Sequence, residues 1–225
     1  MPRANRVCFP GALYHIYQRG NNKQDIFRDD SDRGRLLRLF LDAKKEFGYY
    51  LYCYALMDNH FHATIETPNA IPISKIMHFI SSNYATYFNG KHDRAGHLFQ
   101  GRFGSIIVEK DSYLLELSRY VHLNPVKSNF VNRPEEYKWS SYNVYAENIK
   151  DVLVDSHLIL NLFDGKNAEN ARKAYKEFVE EKVKEVKDED DWLDKNVKRK
   201  HFLGSKNFIK NVQKRGQAPL FKNVL

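Results

Sequence analysis

The chain has 225 residues and a mass of 26.5 kDa, enough for one domain of ordinary size and an appendage. Hydrophobic residues at 42%, aromatic residues at 14% and a mean hydropathy of −0.63 exclude a fibrous, collagen-like or wholly disordered chain. The net charge is +8; no apolar run approaches the roughly 18 residues of a bilayer span, and Met1 to Arg6 lead into no signal-peptide core, so a cytoplasmic protein without a membrane partner is expected.

Residues 12–18, Ala-Leu-Tyr-His-Ile-Tyr-Gln, alternate as a strand does, and Arg19-Gly20-Asn21-Asn22 reads as a turn. Leu36, Leu37, Phe40, Leu41, Lys44 and Phe47 recur at helical spacing from a Ser31 cap to a Gly48 terminator. Residues 49–57 and 60–66 have strand character around an Asp58-Asn59 turn, which predicts a hairpin. A second helix carries Ile76, Met77, Ile80, Tyr84, Tyr87 and Phe88 and is expected to end at Gly90. After a basic, glycine-containing loop over 91–104 come a short strand at 105–108 and a third helix, capped by Asp111 and stopped by Pro125.

Strand, helix, hairpin, helix, strand and helix in one unit predict an α+β domain with an antiparallel sheet and helices packed on it, over residues 1–145. Residues 146–225 read as a helical C-terminal extension, with helices expected over 155–163 and 168–187, an acidic stretch at 188–191 and a last short helix through Phe208, Ile209 and Val212. Nine bases and no acid follow Asp194, so that tail carries +9 and residues 1–194, with 27 bases and 28 acids, carry −1. Such an end attracts polyphosphate by releasing counterions, and a solvated tail without a ligand fits the charge as well. Cys8 and Cys53 are too few for a disulfide framework and lack a Cys-x-x-Cys partner, so both read as packing residues.

Alternation in the hairpin's second arm puts His60, His62, Thr64 and Glu66 on one face and Phe61, Ala63 and Ile65 on the other. The apolar set should face the core, leaving the histidines on the opposite surface, where two imidazoles at this spacing can converge on one divalent cation. On the third helix Tyr120 and Asn124 lie one turn apart on one face, with Tyr113 a rival tyrosine further back. A phenol, with a free pKa of about 10, is a poor nucleophile unless developing charge is neutralised. Two histidines and an amide oxygen would leave coordination positions for phosphate oxygens, on Mg2+ or more readily on Mn2+.

These residues sit in four ordered blocks: Tyr14-His15-Ile16-Tyr17-Gln18-Arg19-Gly20, His60-Phe61-His62, Gly96 to Phe103, and Arg119-Tyr120-Val121-His122-Leu123-Asn124-Pro125-Val126-Lys127, with Trp139-Ser140-Ser141-Tyr142 closing. Together, over about residues 9–145, they resemble the single-tyrosine HUH transposases, nearest the branch associated with repetitive extragenic palindromes. The resemblance implies a ferredoxin-like antiparallel sheet flanked by helices, Tyr120 as nucleophile in preference to Tyr113, and His60, His62 and Asn124 as ligands of a divalent metal, Mg2+ or Mn2+. It also implies cleavage of single-stranded hairpin DNA from palindromic repeats, through a 5′-phosphotyrosine link and without a nucleotide cofactor, as in DNA transposition and recombination. Arg19, Arg102, Phe103 and Lys127 fall in or beside these blocks as candidate DNA contacts, Arg102 for phosphate and Phe103 for a base. Relatives acting as dimers and relatives acting alone make a second copy of the chain a candidate partner. The runner-up reading is a catalytically silent module that holds hairpin DNA or RNA without cutting it.

Overall fold

Strand β1 (Ala12–Arg19) runs through the middle of the sheet, antiparallel to β3 (His60–Thr67) on one side and to β4 (Gly104–Val108) on the other. Strand β2 (Tyr50–Met57) pairs with β3 in the expected hairpin, and a two-residue β5 (Phe202–Leu203) joins the far edge, giving the order β2-β3-β1-β4-β5. The computed structural model describes residues 6–69, 71–110, 112–186, 192–197 and 201–217. With helices α1 (Asp30–Phe47) and α2 (Ile73–Lys91) between strands, the first part of the chain follows the β-α-β-β-α-β order of ferredoxin-like folds. The α+β class is as expected. The sheet is not purely antiparallel, because β5 runs parallel to β4. Two backbone bonds hold it there, from the Ile107 amide to the His201 carbonyl and from the Glu109 amide to the Leu203 carbonyl, both 2.8 Å. Two residues carry no readable period, so no strand was expected there.

Helix boundaries shift where side chains compete. Asp29, not Ser31, caps α1: its carboxylate accepts from the Asp32 amide at 3.0 Å while Asp32 accepts from the Asp29 amide, a reciprocal box that satisfies two orphan donors. Gly48 ends that helix in the left-handed conformation (φ 64°, ψ 44°), as expected. Helix α2 continues through Gly90 to Lys91, and Lys91 and the next residue, His92, converge on the fully buried Asp32 at 2.8 and 2.9 Å. That ion pair gives the last turn a partner that glycine cannot offset. Helix α3 (Ser112–Lys127) runs two residues beyond Pro125. The proline forfeits its own bond to the preceding turn, but the chain is held past it, since the Ser128 amide closes on Asn124 and the Phe130 amide on Pro125, each at 2.9 Å. The Asp111 cap lies outside the described residues, as do the acidic stretch 188–191 and tail bases Lys198, Arg199, Lys200 and Lys222.

Helices α1 and α2 cover the sheet face carrying Phe61, Ala63 and Ile65, with Phe40 edge-on to Phe61 at 5.8 Å and Ser81 donating to Gln18 at 2.7 Å. Helix α3 covers the other face, so His62, Thr64 and Glu66 are buried rather than lying on an open surface, a correction to the expectation. The extension packs here too. Helices α4 (Tyr142–Ala146), α5 (His157–Asn161) and α6 (Ala168–Glu180) follow, the last two shorter than expected. Short α7 (Trp192–Asn196) and α8 (Lys206–Gln217) complete it; α8 buries Ile209 and Val212 and exposes Lys206, Lys210 and Lys214. No helix among the described residues is long and apolar enough to cross a membrane.

One buried imidazole ties α3 to the rest. His122 Nδ1 lies 2.6 Å from the Tyr175 hydroxyl of α6, and its Nε2 lies 2.7 Å from the Ser141 hydroxyl. Tyr175 donates onward to Ser118 at 3.2 Å, so Nδ1–H donates to Tyr175 and Nε2 accepts from Ser141. Ser141 in turn accepts from the Tyr54 amide of β2 at 2.9 Å. Burial pushes the His122 pKa from 6.5 down to about 3. Because the folded pKa is depressed, the unfolded chain binds the extra proton. Stability is therefore full above pH 6.5 and is lost as pH falls towards 3. Urea unfolding at pH 7 and pH 5 should show His122 alone removing about 2 kcal/mol over that interval. That share of the loss should vanish in His122→Asn, whose stability at pH 7 should itself fall by about 1–3 kcal/mol from the disrupted network.

Candidate active site

The β1–β3 register sets Tyr17 opposite His62, Arg19 opposite His60 and His15 opposite Thr64, so the three β1 side chains share the histidine face. Helix α3 lays Tyr120 over them. Its ring stands edge-on to His62 at 5.8 Å (88°) and to His15 at 6.1 Å (82°), and the His60 and His62 rings are 5.1 Å apart. A cavity of about 830 Å³ opens at this point, lined among others by Tyr17, Arg19, His60, His62, Tyr120, Asn124 and Lys127. Residues distant in sequence, on two strands and a helix, thus face one space.

The hydrogen bonds around the cavity set which atoms are presented. Asn59 donates its amide nitrogen to the Lys23 carbonyl at 3.1 Å, which turns its oxygen to His60 Nδ1 at 2.6 Å. His60 Nδ1 must then carry the proton, leaving the lone pair on Nε2. Asn124 donates its amide nitrogen to the Tyr120 carbonyl at 2.8 Å, leaving Oδ1 as the acceptor. His62 Nδ1 lies 3.1 Å from His15 Nε2, and these two rings stack at 5.1 Å and 12°. His15 is 0% exposed, and its Nδ1 has no hydrogen-bond partner among the described residues.

All three imidazoles are neutral at pH 7. Burial lowers the His15 pKa to about 3; burial and then the Arg19 charge lower that of His60 to about 4; burial first, then His15, His60 and Arg19, hold His62 well below its ordinary value. Neutral imidazole is the form that binds metals. No group of three or more His, Cys, Asp or Glu able to hold a metal occurs among the described residues, so an ion here would draw on the His60 and His62 nitrogens together with the amide oxygen of Asn124. That mixed nitrogen and oxygen set suits Mn2+ and, with water or phosphate completing the shell, Mg2+.

Other candidates fall elsewhere. Tyr113 lines a different depression with Phe9, Lys110 and Phe208. Arg102 is exposed on a neighbouring groove between α2 and the 96–103 loop, whereas Phe103 is only 7% exposed and has the Arg6 guanidinium over its ring at 3.8 Å. Phe103 is therefore not brought to the cavity. Tyr17 was not singled out from sequence, although alternation from His15 places it on the same face. Trp192, whose ring lies 6.0 Å from that of Tyr120, and Leu193 and Asp194, which line the cavity, come from α7 and leave no local signal near the motifs.

Residues 8–124, more than half the chain, match the model of the family described as transposase, IS200 like. The chain belongs to the IS200-like transposase family. All of β1 to β4 and the α3 segment bearing Tyr120 and Asn124 fall within the matched span of this transposase family. A solved REP-associated tyrosine transposase bound to a REP hairpin is similar in fold, with a TM-score of 0.56 at 14% identity, covering 69% of this chain and 94% of that one. A putative transposase from Deinococcus radiodurans has a TM-score of 0.38 at 13% identity over 53% and 95% of the two chains. The tRNA(His) guanylyltransferase of Saccharomyces cerevisiae has one of 0.41 at 10% identity over 90% and 88%. Comparison with curated proteins gives no match.

Proposed function

We propose that this transposase-family chain is a divalent-metal-dependent endonuclease and strand transferase for single-stranded hairpin DNA, with Tyr120 as nucleophile and His60, His62 and Asn124 as metal ligands. The observation that carries the reading is the Tyr120 ring standing edge-on to His62 across one cavity that His60 and Asn124 also line. Within one chain the phenol already meets the imidazoles, which supports a site complete without a partner subunit.

A bound Mg2+ or Mn2+ would polarise the scissile phosphate and neutralise charge developing on its oxygens. Tyr120 Oη attacks phosphorus as its proton passes to solvent. The bond from phosphorus to the 3′-oxygen breaks, and that oxygen leaves with a proton as a free 3′-hydroxyl. The 5′-phosphate is then esterified to Tyr120, and because one phosphate ester has replaced another, the reverse attack can rejoin strands without a nucleotide cofactor. Arg19, exposed at the cavity, and Lys127, on its wall, supply cations for the flanking phosphates. Arg102 serves the neighbouring groove.

For His62 to offer Nε2, its Nδ1–H must donate to His15 Nε2, which makes His15 a positioning residue that fixes the ligand's tautomer.

With a labelled hairpin oligonucleotide and Mn2+, the wild type should form a covalent adduct that survives denaturation. Tyr120→Phe should abolish it, and an undiminished adduct in that variant removes Tyr120 from the role. Hairpin binding without an adduct in any divalent metal would instead identify a silent binding module. Calorimetric titration with Mn2+ should show binding lost in His62→Ala and weakened about 10- to 100-fold in His15→Leu.

A further inference from the structure

We infer that Tyr17 is the platform on which an unpaired nucleobase of the substrate strand stacks beside the proposed metal ligands, a deepening that rests on the single-strand reading above. Tyr17 stands on β1, the central strand of the five-stranded sheet, where its cross-strand neighbours are His62 and Gly104. Sheet positions under α3 are otherwise largely buried, yet Tyr17 is 41% exposed and lines the cavity. Leaving so large an aromatic surface to water in the centre of a sheet forgoes burial that a neighbouring helix would supply.

The seat of the ring is built. A Cβ placed on Gly104 would lie 2.2 Å from Tyr17 Cζ and 2.4 and 2.6 Å from its two Cε atoms. The far half of the ring thus fills the space that any side chain at 104 would take, resting on strand backbone. His15, stacked at 5.9 Å and 29°, and His62 at 6.4 Å hold it from the side. One part of the ring is supported and the rest is open to the cavity.

An aromatic face held in this way takes any base, because every base has a π-face, and the gain does not depend on hydrogen-bond readout. Paired bases inside a duplex have both faces covered by their neighbours, so the platform selects unpaired nucleotides. Arg19, two residues along β1 on the same face and exposed, lies where a cation can meet the phosphate of the stacked nucleotide. The class of ligand is therefore a single-stranded nucleotide next to the scissile phosphate, chosen by being unstacked rather than by its identity.

The test uses the full chain in the Tyr120→Phe background, with hairpin oligonucleotides carrying 2-aminopurine at successive unpaired positions. Fluorescence should be quenched at one position. Tyr17→Phe should keep the quenching, whereas Tyr17→Leu should lose it and weaken binding about 5- to 150-fold. Gly104→Ala leaves Tyr17 in the chain but displaces its ring, and should reproduce the loss. Calorimetric Mn2+ affinity and the thermal midpoint are measured on each variant, and both should stay near the parent's for Tyr17→Leu, separating a stacking role from collapse of the site. Unchanged quenching and affinity in both Tyr17→Leu and Gly104→Ala would overturn the inference, even where the Tyr120-bearing enzyme still forms an adduct. Quenching that depends on Tyr17 in a protein that never forms an adduct would leave the platform standing and sink the nuclease reading instead.

Discussion

The placement of α3 rests in part on one neutral imidazole that hydrogen-bonds to two other parts of the fold at once. His122 joins α3 to α6 through Tyr175 and to β2 through Ser141. One tautomer satisfies both ring nitrogens, which couples the position of α3 to the packing around Tyr175 and Ser141. Tyr120 and Asn124 lie two residues on either side of His122, so the angle at which they enter the cavity is set by a bond made on the opposite side of the helix. The extension is part of this arrangement, because Tyr175 belongs to it and is itself fully buried.

Burial of imidazoles recurs at the cavity with a different outcome. At His122 both nitrogens find hydroxyls, whereas at His15 one nitrogen is buried without a partner among the described residues. An unsatisfied buried nitrogen is destabilising, and apolar side chains of similar size would fill the position. Its bond to His62 is the feature that an apolar residue could not reproduce. The same low-dielectric surroundings keep His15, His60 and His62 uncharged, which removes the repulsion that three adjacent cations would otherwise create on one sheet face.

The opposite side of the sheet solves a more ordinary problem. Asp32 is buried at the start of α1, where Lys91 at the end of α2 neutralises it and the His92 ring hydrogen-bonds it, so the two helices are locked at one end by these contacts and along their length by apolar contacts such as Phe47 against Phe79. A buried carboxylate of this kind is tolerated only with its partners in place. Its pair with Lys91 also explains why α2 ignores Gly90, a long-range charge contact outweighing the local signal, whereas Ser31 yields the α1 cap to the local Asp29–Asp32 box.

Much of this was legible in the sequence because it follows from periods of two and of about four. Alternation placed His60 and His62 on one face, helical spacing placed Tyr120 and Asn124 on another, and Gly48 marked a helix end that only a left-handed residue closes easily. The order of elements sufficed for the α+β class. What the sequence could not contain is which faces meet. The β1–β3 register, which sets Tyr17 beside His62 and brings His15 within reach of the same ring, is a pairing between segments about 45 residues apart. The burial of the histidine face, the parallel β5, the continuation of α3 beyond Pro125 and the arrival of Trp192 at Tyr120 are likewise decided by contacts across the fold. Local propensities worth a few tenths of a kcal/mol up to about 1 kcal/mol per residue yield there to packing and charge pairing that act only once the chain has closed on itself.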